Sequence, residues 1–328
     1  MKIKYVSIDC GKANTKACSY DVQSSDVSKT IVSTNVEKRN ALVELCRQEN
    51  QYIVAFDGDD EEINGGWDVG FGSGQTSYSN SKKDMIHKIM TLTAIALVTE
   101  NGDTVVPAIG CPLTVFNDAD SKVEFYDYIF PDGRVDVNIN GIDHYYFIKK
   151  DKGCVFPESF GAMFMFPERF TGDTGVIDIG GLNVNASLFK KGKYQQELSM
   201  TEKLGLFSIV SYLRTRLNAL CDAGFDNWTV EHFLRSGSVP GSEKSAEVIE
   251  SVLASHLPRI EMIVKEWNID RIDLIFIGGT SKILQKYIEQ RFPDKAFIPD
   301  EVDFINCKGF LKEMLILAGY NCPDALGS

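Results

Sequence analysis

A short pattern occurs twice in the chain. Ile8-Asp9-x-Gly11-x-x-Asn14-x-x-Ala17 returns as Ile177-Asp178-x-Gly180-x-x-Asn183-x-x-Ala186, with all five residues displaced by 169 positions. Each copy follows a short apolar run (Tyr5 to Ile8; Val176-Ile177) and leads into another alternating stretch (Lys16 to Tyr20; Asn185 to Phe189). Strand, glycine turn, strand is the expected structure: a β-hairpin with a carboxylate at the end of its first arm. Two such hairpins facing each other would place two carboxylates and two sets of turn amides around one cleft. That combination suits a metal–polyphosphate ligand, because the amides cradle phosphate oxygens while the acids hold Mg²⁺ through its water shell. An Asp before Gly also caps its own turn, and for either copy alone that reading is as good. The matched repeat favours metal and nucleotide for Asp9 and Asp178.

Composition narrows the classes. At 328 residues the chain is long for one core and comfortable for two lobes. Hydrophobic content of 44% and charged content of 24% are ordinary for a globular protein. The longest apolar stretches, such as Leu274 to Ile277 and Leu311 to Ala318, are far too short to span a bilayer. Met1-Lys2-Ile3-Lys4 lacks the apolar region of a signal peptide, so a cytoplasmic protein is expected, with no membrane contact. The eight cysteines, Cys46 among them, form no C-x-x-C pair and are read as reduced thiols. The four histidines show no zinc spacing and are given no role. A net charge of −12 disfavours direct binding to nucleic acid, which needs clustered Lys and Arg.

Alternating strands and helices predict an α/β protein. A third strand is expected near Thr30 to Ser33, a helix over Lys83 to Val98, and a strand over Thr104 to Gly110. Another strand is expected over Gly141 to Lys149, with a helix beginning at Pro157-Glu158-Ser159. Further helices are predicted after Leu204-Gly205, over Ala246 to Trp267 (broken at Pro258), over 281–291, and as an amphipathic segment at 310–318. Residues 57 to 80 are acidic and glycine-rich and read as an exposed irregular subdomain or loop rather than a nucleotide loop, since no strand-then-helix context surrounds them. No Walker G-x-x-x-x-G-K-[ST] and no G-x-S-x-G elbow occurs, which removes the P-loop NTPase and α/β-hydrolase classes.

The two hairpins resemble the phosphate-1 and phosphate-2 motifs of the actin, Hsp70 and sugar-kinase superfamily. Ile272 to Ser281, an apolar strand ending in Gly278-Gly279-Thr280, is similar to that superfamily's adenosine motif. The three motifs stand in the right order across nearly the whole chain. The resemblance implies a two-lobed actin-like fold, a duplicated ribonuclease-H-like ATPase with its nucleotide cleft between lobes. Lobe I would comprise 1–170 plus 305–328 and lobe II 171–304. ATP is the implied cofactor, with GTP left open, together with Mg²⁺ held by Asp9 and Asp178.

Residue by residue, Gly11, Gly180 and Gly181 would let backbone approach the phosphates. Asn14 and Asn183 would stabilise the turns, with phosphate contact a lesser reading. Lys16 matches the lysine that actin-like proteins place on the β- and γ-phosphates; its alternative is a solvated strand edge. Lys12 departs from the Ser or Thr of many relatives, and would either supply charge or point to solvent. Glu158, in Pro157-Glu158-Ser159, resembles the Glu that positions the attacking water in plasmid actin-like proteins, so Glu158, Asp9 and Asp178 form the expected catalytic set. Its alternative is a carboxylate favoured by a helix N-terminus. Gly205 would lie on the loop that meets the nucleotide, and Gly278, Gly279 and Thr280 would hold the adenosine.

Within the superfamily, Gly110-Cys111-Pro112, Pro157-Glu158-Ser159, Asp178 to Asn183 and Asn306 to Gly309 look like plasmid-segregation actins of the ParM/StbA type from Gram-positive plasmids. That resemblance implies a polar filament, ATP hydrolysis coupled to assembly, and plasmid DNA reached through a small basic adaptor at a centromere. The alternatives are a monomeric small-molecule kinase of the same superfamily and an archaeal or cell-shape actin homologue. Hsp70 chaperones need a far longer chain.

Overall fold

The structure is a computed structural model and describes residues 2–40, 48–58, 60–71, 75–77 and 82–327. It divides into two compact units, Met1–Phe166 with Phe304–Ser328, and Pro167–Asp303. No helix among the described residues is long and apolar enough to cross a membrane.

In the first unit the chain forms β1 (Ile3–Cys10), β2 (Asn14–Asp21), β3 (Val27–Ser33), β4 (Val36–Lys38), β5 (Tyr52–Asp57) and β6 (Gly65–Val69). Helix α1 (Met85–Leu97) and β7 (Thr104–Cys111) follow, then α2 (Leu113–Phe116) and α3 (Ala119–Ile129). The hairpin β8 (Gly133–Ile139) and β9 (Ile142–Ile148) comes next, then β10 (Cys154–Pro157) and α4 (Gly161–Met165). The sheet runs β3-β2-β1-β7-β9-β8-β5-β6-β4, with β10 beside β7. β1 is antiparallel to β2 and parallel to β7, so it is buried on both faces from Lys4 onward. A run such as Tyr-Val-Ser-Ile fits that position, since a central strand cannot afford polar alternation.

Helix α1 covers one face. Asp84 caps it by accepting from the His87 N–H, and ten consecutive residues from His87 to Ala96 are buried. The C-terminal helix, Ile305–Leu317, lies against β1, β2 and β7. It starts five residues before its expected beginning. From Phe310 onward it is two-sided as expected, with Phe310, Leu311, Met314 and Leu315 buried and Lys312 and Glu313 half-buried, but from Ile305 to Gly309 every residue is buried. The reason is close packing by glycine. A Cβ on Gly161 would stand 2.3 Å from Asn306 Cα, and one on Gly309 would stand 2.3 Å from the Gly161 carbonyl oxygen. Ser7 Oγ also donates to the Cys307 carbonyl at 2.7 Å.

The second unit contains β11 (Asp173–Ile179), β12 (Val184–Lys190), β13 (Lys193–Tyr194) and β14 (Met200–Glu202). They are followed by α5 (Leu206–Cys221), α6 (Asn227–Ser236), α7 (Lys244–Ile263), β15 (Asp273–Ile277), α8 (Gly279–Ile283), α9 (Gln285–Arg291) and β16 (Ala296–Phe297). The sheet order is β13-β12-β11-β15-β16, with β14 on β12. β11 is antiparallel to β12 and parallel to β15. The first unit repeats this plan: β1, β2, β3, β7 and β10 stand where β11, β12, β14, β15 and β16 stand. The sequence repeat is therefore the visible part of a repeat in topology.

Three expectations need correction. Pro258 lies inside α7 without breaking it. The glycine-rich stretch is not all irregular loop, because Gly65–Val69 is a strand paired with β5 and β4, with Trp67 and Val69 in the core; Asp59, 72–74 and 78–80 lie outside the described residues. Glu158 does not sit on a helix N-terminus: it follows the end of β10, and α4 opens three residues later. Cys46 is also outside the described residues, and no disulfide joins the seven cysteines among the described residues.

Candidate functional site

The two hairpins share one register. Ile8 faces Ala17 and Asp9 faces Lys16 in the first; Ile177 faces Ala186 and Asp178 faces Asn185 in the second. Both turns close in the same way. The Gly11 N–H donates to the Asn14 carbonyl at 3.1 Å, and the Gly180 N–H to the Asn183 carbonyl at 2.9 Å. These two glycine amides are thus spent on the turn. A Cβ at Gly11 would meet the Asn14 oxygen at 2.7 Å, so glycine is required there by the turn itself.

The carbonyls inside each turn are also engaged. Gly11 O and Ala13 O accept from Thr34 Oγ1 (2.7 Å) and Thr34 N (2.8 Å), and Lys12 O accepts from Thr76 Oγ1 (2.8 Å). In the second turn Gly180 O accepts from Leu206 N (3.0 Å) and Thr280 Oγ1 (2.9 Å). Gly181 O accepts from Phe207 N (2.8 Å) and Leu182 O from Gly205 N (3.0 Å). Among the described residues, the N–H groups of Lys12, Ala13, Gly181 and Leu182 have no acceptor. Backbone donors left over beside a carboxylate are what an anionic ligand with a cation needs.

Around the first hairpin lie three buried lysines. Lys16 Nζ is 3.6 Å from Asp9 Oδ2, so it is no solvated edge residue. Lys12 does not point to solvent either: it is 5% exposed, its Nζ donates to Ser77 Oγ at 3.0 Å, and Asp84 Oδ2 is 3.8 Å away. Burial, and then the charge of Lys82, pulls its ammonium down to about 8. Lys82 Nζ pairs with Glu158 Oε1 and donates to the Cys10 carbonyl at 2.6 Å. Burial alone would lower the Lys82 pKa, but the carboxylates of Glu158 and Asp9 outweigh it and the net shift is upward. Asp84 accepts from Ser77 Oγ (2.6 Å) and from the His87 N–H (3.0 Å), with His87 Nδ1 at 2.8 Å. Burial holds His87 down at about 4 against the pull of Asp84, so the ring is neutral near pH 7 and Nδ1 is the donor.

Asp178 has different neighbours. Gly278, at φ +83°, approaches so closely that a Cβ there would stand 2.5 Å from Asp178 Oδ1. A Cβ on Gly279 would stand 2.5 Å from Asp303 Oδ1. Gly205 is pressed on the turn, where a Cβ would lie 2.5 Å from both the Gly180 and Gly181 oxygens. Thr280 is tied to Gly180 and Asn185 accepts from Thr201 Oγ1 at 2.8 Å, while Asn183 Oδ1 is buried with no partner among the described residues. His256 Nε2 donates to the Leu204 carbonyl at 2.7 Å and fixes the loop before Gly205.

Sequence reasoning missed Thr34, Thr76, Ser77, Lys82, His87 and Asp303. Asp84 alone carried a legible signal, an Asp immediately before an apolar periodic run. Among the described residues no group of three or more His, Cys, Asp or Glu could hold a metal ion directly. One buried carboxylate beside unfilled turn amides, in each hairpin, does fit a cation held through its water shell on a polyphosphate.

Residues 7–161 match the family of actin-like proteins, N-terminal domain. The chain is similar in structure to the apo psk41 ParM protein (16% identity, 97% of this chain and 99% of that chain, TM-score 0.70). It is similar to a subunit of a 15-stranded ParM filament from Clostridium botulinum (15% identity, 96% and 99%, TM-score 0.74). It is also similar to an archaeal actin homologue in complex with ADP (17% identity, 93% and 97%, TM-score 0.72). No curated protein matches it in sequence. The fold is the actin-like α/β fold, and the resemblance carried by the motifs is borne out.

Proposed function

We propose that this protein is a nucleotide-dependent, filament-forming actin homologue that hydrolyses ATP and serves in plasmid DNA segregation. The observation that carries the reading is the pair of equivalent hairpins, each with a buried aspartate at its strand end and two turn amides without acceptors. The solved relatives support it: one of them is a ParM filament and another holds ADP.

In this reading the amides of Lys12, Ala13, Gly181 and Leu182 donate to phosphate oxygens, and Lys16 and Lys12 neutralise them. Asp9 and Asp178 would hold Mg²⁺ through water, and the cation would offset charge developing on the phosphates. Gly278, Gly279 and Thr280 bring backbone close to the adenosine. Glu158 accepts a hydrogen bond from the attacking water and orients it in line. The water oxygen bonds to the terminal phosphorus as the bond to the bridging oxygen breaks, and the proton leaves with the phosphate. The functional lobes are 1–170 plus 305–328, and 171–304. With a net charge of −12 the partner at the plasmid would be a small basic DNA-binding adaptor rather than DNA itself.

Cosedimentation and phosphate release in one reaction test the proposal. At micromolar protein, magnesium and ATP should send the protein to the pellet and release phosphate, while ADP should leave it in the supernatant. Nucleotide turnover without any pelleted protein would point to a monomeric kinase instead.

A further inference from the structure

Lys82 was not singled out by any motif, yet it is the most thoroughly engaged side chain near the hydrolytic carboxylate. It is 5% exposed, and Glu158 is 6% exposed. Its ammonium bridges two elements, pairing with Glu158 Oε1 beyond β10 and donating at 2.6 Å to the carbonyl of Cys10, the residue after Asp9. The backbone of Glu158 is fixed on both sides. Its own N–H donates to the Cys111 carbonyl at 2.9 Å, and the next N–H, that of Ser159, donates to Asn306 Oδ1 at 3.1 Å. These bonds leave the direction of the Glu158 carboxylate to its side-chain contacts, and the ion pair with Lys82 is one that ties it to the Asp9–Cys10 strand end.

The backbone supports the same conclusion. Lys82 (φ +55°) and Ser159 (φ +72°) are both in the left-handed region, which costs a non-glycine residue on the order of 1 kcal/mol. Strain at Lys82, and again at the residue that follows Glu158, is what a geometry fixed for a task looks like.

We propose that Lys82 is a positioning residue for nucleotide hydrolysis, holding Glu158 at a set distance from the Asp9–Cys10 strand end so that the carboxylate meets the attacking water. It acts through Glu158 and need not touch the nucleotide. This inference rests on the hydrolytic reading of Glu158 given above.

The test is steady-state phosphate release with magnesium and ATP for the full chain and for Lys82→Met, Lys82→Arg, Glu158→Gln and the Lys82→Met/Glu158→Gln pair. A misdirected catalytic group costs on the order of 10²-fold in kcat. Lys82→Met should show that loss with KM changed by less than about threefold, and Lys82→Arg should recover most of the rate, since it restores charge and donors. Adding Lys82→Met to Glu158→Gln should cost nothing further, because the two act as one unit. The proposal is overturned if Lys82→Met keeps the wild-type kcat while Glu158→Gln is slow, or if the two losses multiply. Should Lys82→Met not fold, Lys82→Gln, which keeps a donor for the Cys10 carbonyl, carries the same expectation and the same refutation. A wild-type chain that binds nucleotide but releases no phosphate would instead remove the hydrolytic reading itself.

Discussion

The hairpins β1–β2 and β11–β12 are two solutions to one problem. In each, three consecutive turn carbonyls must be satisfied so that the following amides remain for a ligand. The first does it with hydroxyls and one amide from elsewhere in its unit, Thr34 and Thr76. The second does it with the opening turn of α5, whose Leu206 and Phe207 amides point at Gly180 and Gly181, and this requires glycine at 205. The cross-strand partner of the aspartate diverges as well: Lys16 opposite Asp9, Asn185 opposite Asp178. One copy has become the charged half, with three lysines, and the other the backbone half, with Gly278 against its carboxylate. A duplicated frame thus holds a shared geometry while its chemistry divides.

The largest expected effect falls on the backbone half. Gly205→Val should destabilise the protein by about 3 kcal/mol or more, because the nearest atoms its Cβ would have to displace are all backbone. Gly224→Ala, where nothing stands within 4 Å, serves as the neutral control in the same thermal or denaturant melt. Equal stability of the two variants would mean that the second turn does not depend on α5.

Charge in the first hairpin is tested by making it resemble the second. Lys16→Asn should weaken magnesium–nucleotide affinity by about tenfold, the loss expected for one charged contact, as read by calorimetric titration. If affinity is unchanged, the division of labour between the copies is wrong.

A smaller effect follows from Lys12. Its ammonium titrates at about 8 in the free protein, and a bound polyphosphate would raise that value, so binding takes up a proton once the pH passes 8. Nucleotide affinity should therefore be full below pH 8 and fall with rising pH, by up to about tenfold between pH 7 and 9. Lys12→Arg, which does not titrate in this range, should flatten the profile, and a wild-type profile already flat would separate Lys12 from the ligand.

Much of this frame was legible in the sequence, and the reason is local. Strand ends, Gly turns and the strand before Gly278-Gly279 are set by neighbours in the chain, so both hairpins and the places of Asp9, Gly11, Asp178 and Gly180 in them could be read. Contacts across tens of residues have no such signature. Lys82 meets Glu158 and Cys10 only because the sheet brings β1, β7 and β10 side by side, and Thr34 reaches the first turn because β3 pairs with β2. That Gly205 packs on the second turn could not be read, because sequence shows a glycine beside a helix but not the carbonyls pressed against it. Lys12 could not be decided from its neighbours, since its partners Ser77 and Asp84 lie more than sixty positions away.

The most direct measurement is titration of ATP, with magnesium, into the wild-type chain and into Asp9→Ala and Asp178→Ala. The account predicts one nucleotide per chain, with affinity reduced on the order of 10²-fold by either substitution and the circular dichroism spectrum unchanged. A variant that kept the wild-type magnesium-dependent affinity would show that only one of the two hairpins serves the nucleotide, and would contradict the reading of the repeat.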